Sequence, residues 1–136
     1  MRRSGLRYHA HSNSVLPRVI PPPVGATPER PILKQINVGI IGTGWCGGIR
    51  AETLAVHPLV KGLHLAEIRE DRLEEMEAKT RPTTATTDYR KLVERKGLDA
   101  VYISATPENL HFPMAKEFLE AGKHVFLEKP IAVTLA

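Results

Sequence analysis

At 136 residues, 42% hydrophobic and 25% charged, the chain has the length and balance of one globular domain able to bury a core, and its short apolar runs exclude a membrane span. A single cysteine, Cys46, excludes an intrachain disulfide and a cysteine-built zinc cluster, and fits a reducing, cytoplasmic setting. The net charge of +4 is uneven: residues 1–35 hold six basic side chains against Glu29 alone, and residues 36–136 hold thirteen basic against fourteen acidic, so neither nucleic acid nor a membrane is an expected partner of the folded part.

Residues 1–35 carry Pro17, Pro21, Pro22, Pro23, Pro28 and Pro31 and no lasting apolar period, which reads as a disordered or partly polyproline-like extension. A mitochondrial-type presequence fits the arginines but not the prolines. A twin-arginine signal fits Arg2-Arg3 but lacks the apolar stretch that should follow. A solvated extension, or a start codon placed too far upstream, is the simpler reading.

From Ile36 the chain alternates between two periods. Ile36–Ile41 is a β-branched apolar run, as a strand buried on both faces requires. Trp45, Ile49, Thr53 and Val56 then recur at helical spacing, and Pro58 ends that helix. Leu63–Ile68 reads as a second strand, and Asp71–Lys79 as a charged helix with Leu73 and Met76 inward. Its glutamates form a solvated face, not a metal site. Thr83–Thr87 is a short strand, and Asp88 caps a helix bearing Leu92 and Val93 that Gly97 stops. Ala100–Ile103 is the next strand. Asn109 caps a helix with Leu110, Met114, Phe118 and Ala121 inward, Gly122 ends it, and Val125–Leu127 is the last strand. Strand and helix in alternation predict a Rossmann-like, doubly wound α/β fold with a parallel sheet, in a single domain over residues 36–136.

Between the first strand and its helix lies Gly42-Thr43-Gly44-Trp45-Cys46-Gly47. In that setting Gly42 permits a tight turn, Gly44 lets a pyrophosphate approach the backbone, and Gly47 lets the helix pack on the strand. The helix N-terminus adds free N–H groups and the positive end of its dipole. Trp45 is placed to stack near a cofactor or to pack on the sheet. Cys46 reads as a small side chain under the loop, with a reactive thiol the lesser alternative. Glu67, twenty positions after Gly47, stands where a carboxylate accepts ribose hydroxyls, which favours NAD. Arg69 and Arg72 nearby can pair with a 2′-phosphate and keep NADP open.

The run Val38–Gly44, Thr86-Thr87-Asp88-Tyr89, Asp99–Ile103, Ala105-Thr106-Pro107 with His111 four beyond, and Ala121–Val125 leading into Glu128-Lys129-Pro130 resembles the N-terminal domain of the glucose–fructose oxidoreductase/inositol dehydrogenase/MocA family. The resemblance covers about three quarters of the chain. It implies that Thr106 and Pro107 line the cofactor cleft and that His111 sits near it, where the residue reads equally as a helix-surface or capping histidine. It also implies that Glu128 and Lys129 approach the nicotinamide ribose and the reacting carbon, with a cis bond before Pro130. Chemically, Lys129 is then the candidate catalytic residue, hydrogen-bonding the substrate oxygen as hydride moves. Family members continue into an α/β domain that supplies the substrate pocket, so these residues read as the cofactor-binding part of a truncated or split NAD(P)-dependent oxidoreductase acting on a hydroxyl or carbonyl of a sugar or polyol. A non-catalytic dinucleotide-binding or redox-sensing module, and an interaction fragment, are the alternatives. No His, Asp and Glu spacing supports a metal site.

Overall fold

The computed structural model describes residues 33–134, so nearly all of the expected extension, residues 1–32, lies outside the described residues. Five strands form one sheet: β1 (Ile36–Ile41), β2 (Val60–Ala66), β3 (Thr84–Thr86), β4 (Ala100–Ile103) and β5 (His124–Leu127). Their order is β3-β2-β1-β4-β5, and every pairing is parallel. Between them run α1 (Trp45–Ala55), α2 (Glu70–Thr80), the short α3 (Arg90–Val93) and α4 (His111–Glu120), the last preceded by a 3-10 turn at Glu108–Leu110.

The alternation of side chains along the strands divides the core in two. Ile40, Leu63, Leu65 and Tyr102 pack with Ala51, Leu73 and Met76 under α1 and α2. Ile41, Val101 and Ile103 pack with Leu92, Met114 and Phe118 under α3 and α4. Neighbouring residues of one strand thus face opposite layers, which is why β1 and β4 read as near-continuous apolar runs. The chain winds outward from β1 to β3, then returns to lay β4 on the other side of β1. The carboxyl ends of β1 and β4 therefore flank the switch point where such sheets bind ligands.

α1 corrects one expectation. It ends at Ala55, and the Trp45, Ile49 and Val56 stripe faces outward, with Trp45 81% exposed. The buried face is Gly47, Gly48 and Ala51, small residues that let the helix axis approach the sheet. Two further boundaries move. β2 begins three residues earlier, at Val60, and leaves Glu67 and Ile68 beyond its end; α4 starts at His111 without a side-chain cap from Asn109. Asp88 does cap the turn into α3, its Oδ1 accepting the Arg90 N–H at 3.0 Å.

His64 on β2 is buried and shares a 2.8 Å hydrogen bond with the Thr84 hydroxyl. Burial, with the charge of Arg95 adding to it, pulls the imidazole pKa from 6.5 down to about 4. Between those values the unfolded chain binds the proton and the folded chain does not. Stability from this group is therefore full above pH 6.5, falls as pH drops toward 4, and falls no further below. The window corresponds to about 3 kcal/mol. Denaturant midpoints recorded across it should fall more steeply for the wild type than for His64→Gln; parallel curves would show that His64 does not titrate on unfolding.

Candidate functional site

The glycines of the loop after β1 are required for different reasons. Gly42 has φ +81°, donates its N–H to Ala66 O at 2.8 Å, and a Cβ there would lie 2.7 Å from the Ala105 backbone. At Gly47 a Cβ would fall 1.9 Å from Gly42 O. Both are dictated by the packing of the loop between β4 and α1. At Gly44 a Cβ would meet nothing within 4 Å, so the protein itself does not demand glycine there. Gly44 instead borders a crevice of about 910 Å³ at the carboxyl edge of the sheet. The first intrahelical bond of α1 runs from the Gly48 N–H to Gly44 O at 2.7 Å. The N–H groups of Trp45, Cys46 and Gly47 precede it and find no protein acceptor among the described residues. Open space over Gly44 beside unpaired donors at a helix N-terminus fits the pyrophosphate of a dinucleotide.

Glu67 stands just beyond β2 on the same crevice. Its Oε2 accepts the Thr43 N–H at 2.7 Å and the Thr43 hydroxyl at 3.0 Å, and its Oε1 accepts the Arg69 N–H at 3.1 Å. The carboxylate thus clamps the glycine loop to β2. Of its roughly four acceptor positions, about one is left for a ribose hydroxyl. Thr43, expected to touch cofactor, is buried with both its polar groups on Glu67. Arg69 is paired with Asp71 through contacts of 2.5 and 3.2 Å on the surface. Arg72 also lines the crevice and has no ion pair among the described residues, which makes it the freer cation for a 2′-phosphate.

Thr106 and Pro107, joined by a cis bond, line the crevice beyond β4. Ser104 braces the loop, its hydroxyl donating to Gly42 O at 2.9 Å. Tyr89 closes one wall by donating to Glu117 Oε1 at 2.9 Å under the Arg90 guanidinium. Burial first, and then that bond, raises the Tyr89 pKa. The crevice therefore brings together Gly42, Gly44, Trp45, Cys46, Glu67, Arg69, Thr106 and Pro107, but not Thr43, Gly47, His111, Glu128 or Lys129.

Thr43 and Gly47 lie buried where the loop after β1 enters α1, and His111, Glu128 and Lys129 gather beside the crevice at the end of β5. The Glu128 N–H donates to Ile103 O at 2.9 Å, and its carboxylate accepts the Tyr102 hydroxyl and lies 3.5 Å from Arg50. The Tyr102 hydroxyl holds the Glu128 carboxyl below the usual range, while burial and Glu128 push the tyrosine up. Lys129 is exposed, precedes a cis bond to Pro130, and has no side-chain partner among the described residues. His111 is only 2% exposed, and both its ring nitrogens sit 2.9 Å from backbone carbonyls, those of Ala105 and Pro130. No ring nitrogen is left for a cofactor. Sequence reasoning missed Arg50, Tyr102 and Ser104. A tyrosine mid-strand and an arginine mid-helix carry no local signal, because their meeting depends on the α1–β4 packing. Among the described residues no cluster of His, Cys, Asp and Glu is placed to hold a metal ion.

Residues 36–136 match the family model GFO_IDH_MocA, described as an oxidoreductase family with an NAD-binding Rossmann fold. A myo-inositol 2-dehydrogenase of Thermotoga maritima is 36% identical over 74% of this chain and 30% of its own length. The scyllo-inositol dehydrogenase of Lactobacillus casei, solved with NAD(H) and scyllo-inositol, superposes with a TM-score of 0.68 at 30% identity, over 74% of this chain and 30% of that one. The 3-ketoreductase KijD10 of Actinomadura kijaniata, solved with NADP, gives 0.64 at 34% identity over 73% and 31%. The chain thus spans about three tenths of the length of these relatives.

Proposed function

The chain belongs to the Gfo/Idh/MocA oxidoreductase family, whose NAD-binding Rossmann domain it forms, and on that premise we propose that it holds the cofactor of an NAD(P)-dependent oxidoreductase acting on a hydroxyl or carbonyl carbon. The observation that carries this reading is Gly44, a glycine with no steric reason inside the protein, set on the crevice beside unpaired helix donors. The nicotinamide, when bound, supplies or accepts the hydride. The chain's own residues bind and orient. The N–H groups of Trp45, Cys46 and Gly47 hold the pyrophosphate, and the free acceptor position on Glu67 takes a ribose hydroxyl. Lys129 donates to the substrate oxygen and exchanges a proton with it as charge develops. A sugar or polyol substrate accords with the inositol dehydrogenases among the relatives, and its selection belongs to the part of those proteins beyond the matched three tenths. A cytoplasmic setting goes with the lone cysteine, and among the described residues no helix is long and apolar enough to cross a membrane.

Trp45 is the only tryptophan and borders the crevice, so its fluorescence reports occupancy. Titration should show saturable quenching by NADH, with weaker binding of NADPH because Glu67 opposes a 2′-phosphate. A preference for NADPH would transfer the ribose-side role to Arg72.

A further inference from the structure

Lys129 lies between two neighbours that are tied to opposite layers of the sheet. On the α1 side, the Glu128 carboxylate accepts the Tyr102 hydroxyl and faces the Arg50 guanidinium. Arg50 itself lies over the Tyr102 ring, 4.9 Å from its centroid, so the three side chains form one unit. On the α4 side, the Pro130 carbonyl is held 2.9 Å from His111 Nδ1, while Nε2 of the same ring reaches Ala105 O, also at 2.9 Å. The ring thus spans the gap between the end of β4 and the chain just past β5. Both partners are acceptors. A neutral ring donates to one of them, and a doubly protonated ring donates to both. The residue between these two attachments is exposed and has no side-chain partner among the described residues.

We propose that Tyr102, Arg50 and His111 are positioning residues for Lys129: they pin the backbone on either side of it, so that its ammonium group is carried on a rigid segment while remaining free to meet a substrate. This rests on the role given above to Lys129. The reason for two attachments is mechanical. After Leu127 the strand ladder ends, and Glu128 makes its last backbone bond, to Ile103 O. A side chain placed on a loose strand end samples many positions, and a contact made only in the transition state loses its value if the group must first be ordered. Tyr102 and His111 are fixed by burial in the two core layers, whereas the segment they hold is exposed. Rigidity is thereby transferred from the core to the rim.

The test uses the full chain and ¹⁵N relaxation of the Lys129 and Ile131 amides, which reports picosecond-to-nanosecond order. In the wild type both should show order parameters near the value of about 0.85 typical of rigid backbone. Tyr102→Phe removes one hydroxyl and keeps the ring; His111→Asn shortens the bridge. Each should lower the order parameters at these two amides, toward about 0.6 or below, with β1 and α2 unchanged and the thermal midpoint little moved. Should His111→Asn fail to fold, Tyr102→Phe alone decides. A segment as ordered in the variants as in the wild type would overturn the proposal, and so would loosening spread evenly across the sheet. The readout is independent of turnover. If the segment loosens as expected but Lys129 proves dispensable for chemistry, the attachments stand and the catalytic reading falls.

Discussion

Gly44→Val should leave the protein folded and abolish most of its affinity for cofactor. A Cβ at this position meets no atom within 4 Å among the described residues, so the expected folding cost is that of a poorer residue at the helix N-cap, about 1 kcal/mol. The same side chain would project from Gly44 into the crevice that Trp45 and Cys46 also line. Loss of even one charge-assisted hydrogen bond to a phosphate costs about 1.5–3 kcal/mol, on the order of 10- to 100-fold in affinity. Gly47→Ala should behave in the opposite way. Its Cβ would fall 1.9 Å from Gly42 O and 2.6 Å from Ser104 Oγ, so backbone must move. Such overpacking costs about 3 kcal/mol at the upper end of its usual range, and lowers the melting temperature of a domain this size by on the order of 10–20 °C. Thermal melts and cofactor titrations on the two variants separate the effects. Equal affinity in Gly44→Val and wild type would show that nothing bound needs the space above residue 44.

Lys129→Ala carries the largest effect expected on catalysis. Measured in a protein that joins this chain to a substrate domain from a family member, it should lower kcat by about 10²- to 10⁴-fold, the usual worth of a placed acid–base group. Cofactor affinity should stay within about threefold, because Lys129 lies outside the crevice proposed for the dinucleotide. The asymmetry is the diagnostic part. A contact that matters only as charge develops on the substrate oxygen lowers turnover without weakening the ground state. Near-normal turnover would make Lys129 a surface lysine at the end of a strand.

Much of the fold was legible because both faces of the central strands are buried. β1 and β4 announce themselves as apolar runs, and the glycine loop between β1 and α1 marks the switch point. α1 was legible as a helix, but its inward face was not, because hydrophobic periodicity rewards large side chains. Its inward face is built from Gly47, Gly48 and Ala51, which pack by being small, and the large residues Trp45, Ile49 and Val56 point to solvent. The crevice residues Gly42, Gly44 and Glu67 were legible from position, each following the carboxyl end of a strand, whereas Thr106 and Pro107 came only with the family resemblance. What each side chain binds was not. Glu67 was read as free for ribose, but three protein donors reach it, because the loop folds Thr43 back onto the end of β2. His111 read equally as a residue near the cleft and as a helix-surface or capping histidine, and neither reading foresaw that its two nitrogens bridge carbonyls nineteen and six residues away. Such pairings are set by tertiary packing, and no local pattern encodes them.

The central claim is that the carboxyl edge of this sheet binds a nicotinamide dinucleotide through the N-terminus of α1. The ¹H–¹⁵N spectrum of the chain, recorded with and without NAD, tests it most directly. The largest shifts should fall on the amides of Trp45, Cys46 and Gly47, whose N–H groups have no protein acceptor among the described residues, with smaller shifts at Glu67–Arg69 and at Thr106, and they should vanish in Gly44→Val. An unchanged spectrum from folded protein at saturating NAD, or shifts centred away from the α1 N-terminus, would contradict the account.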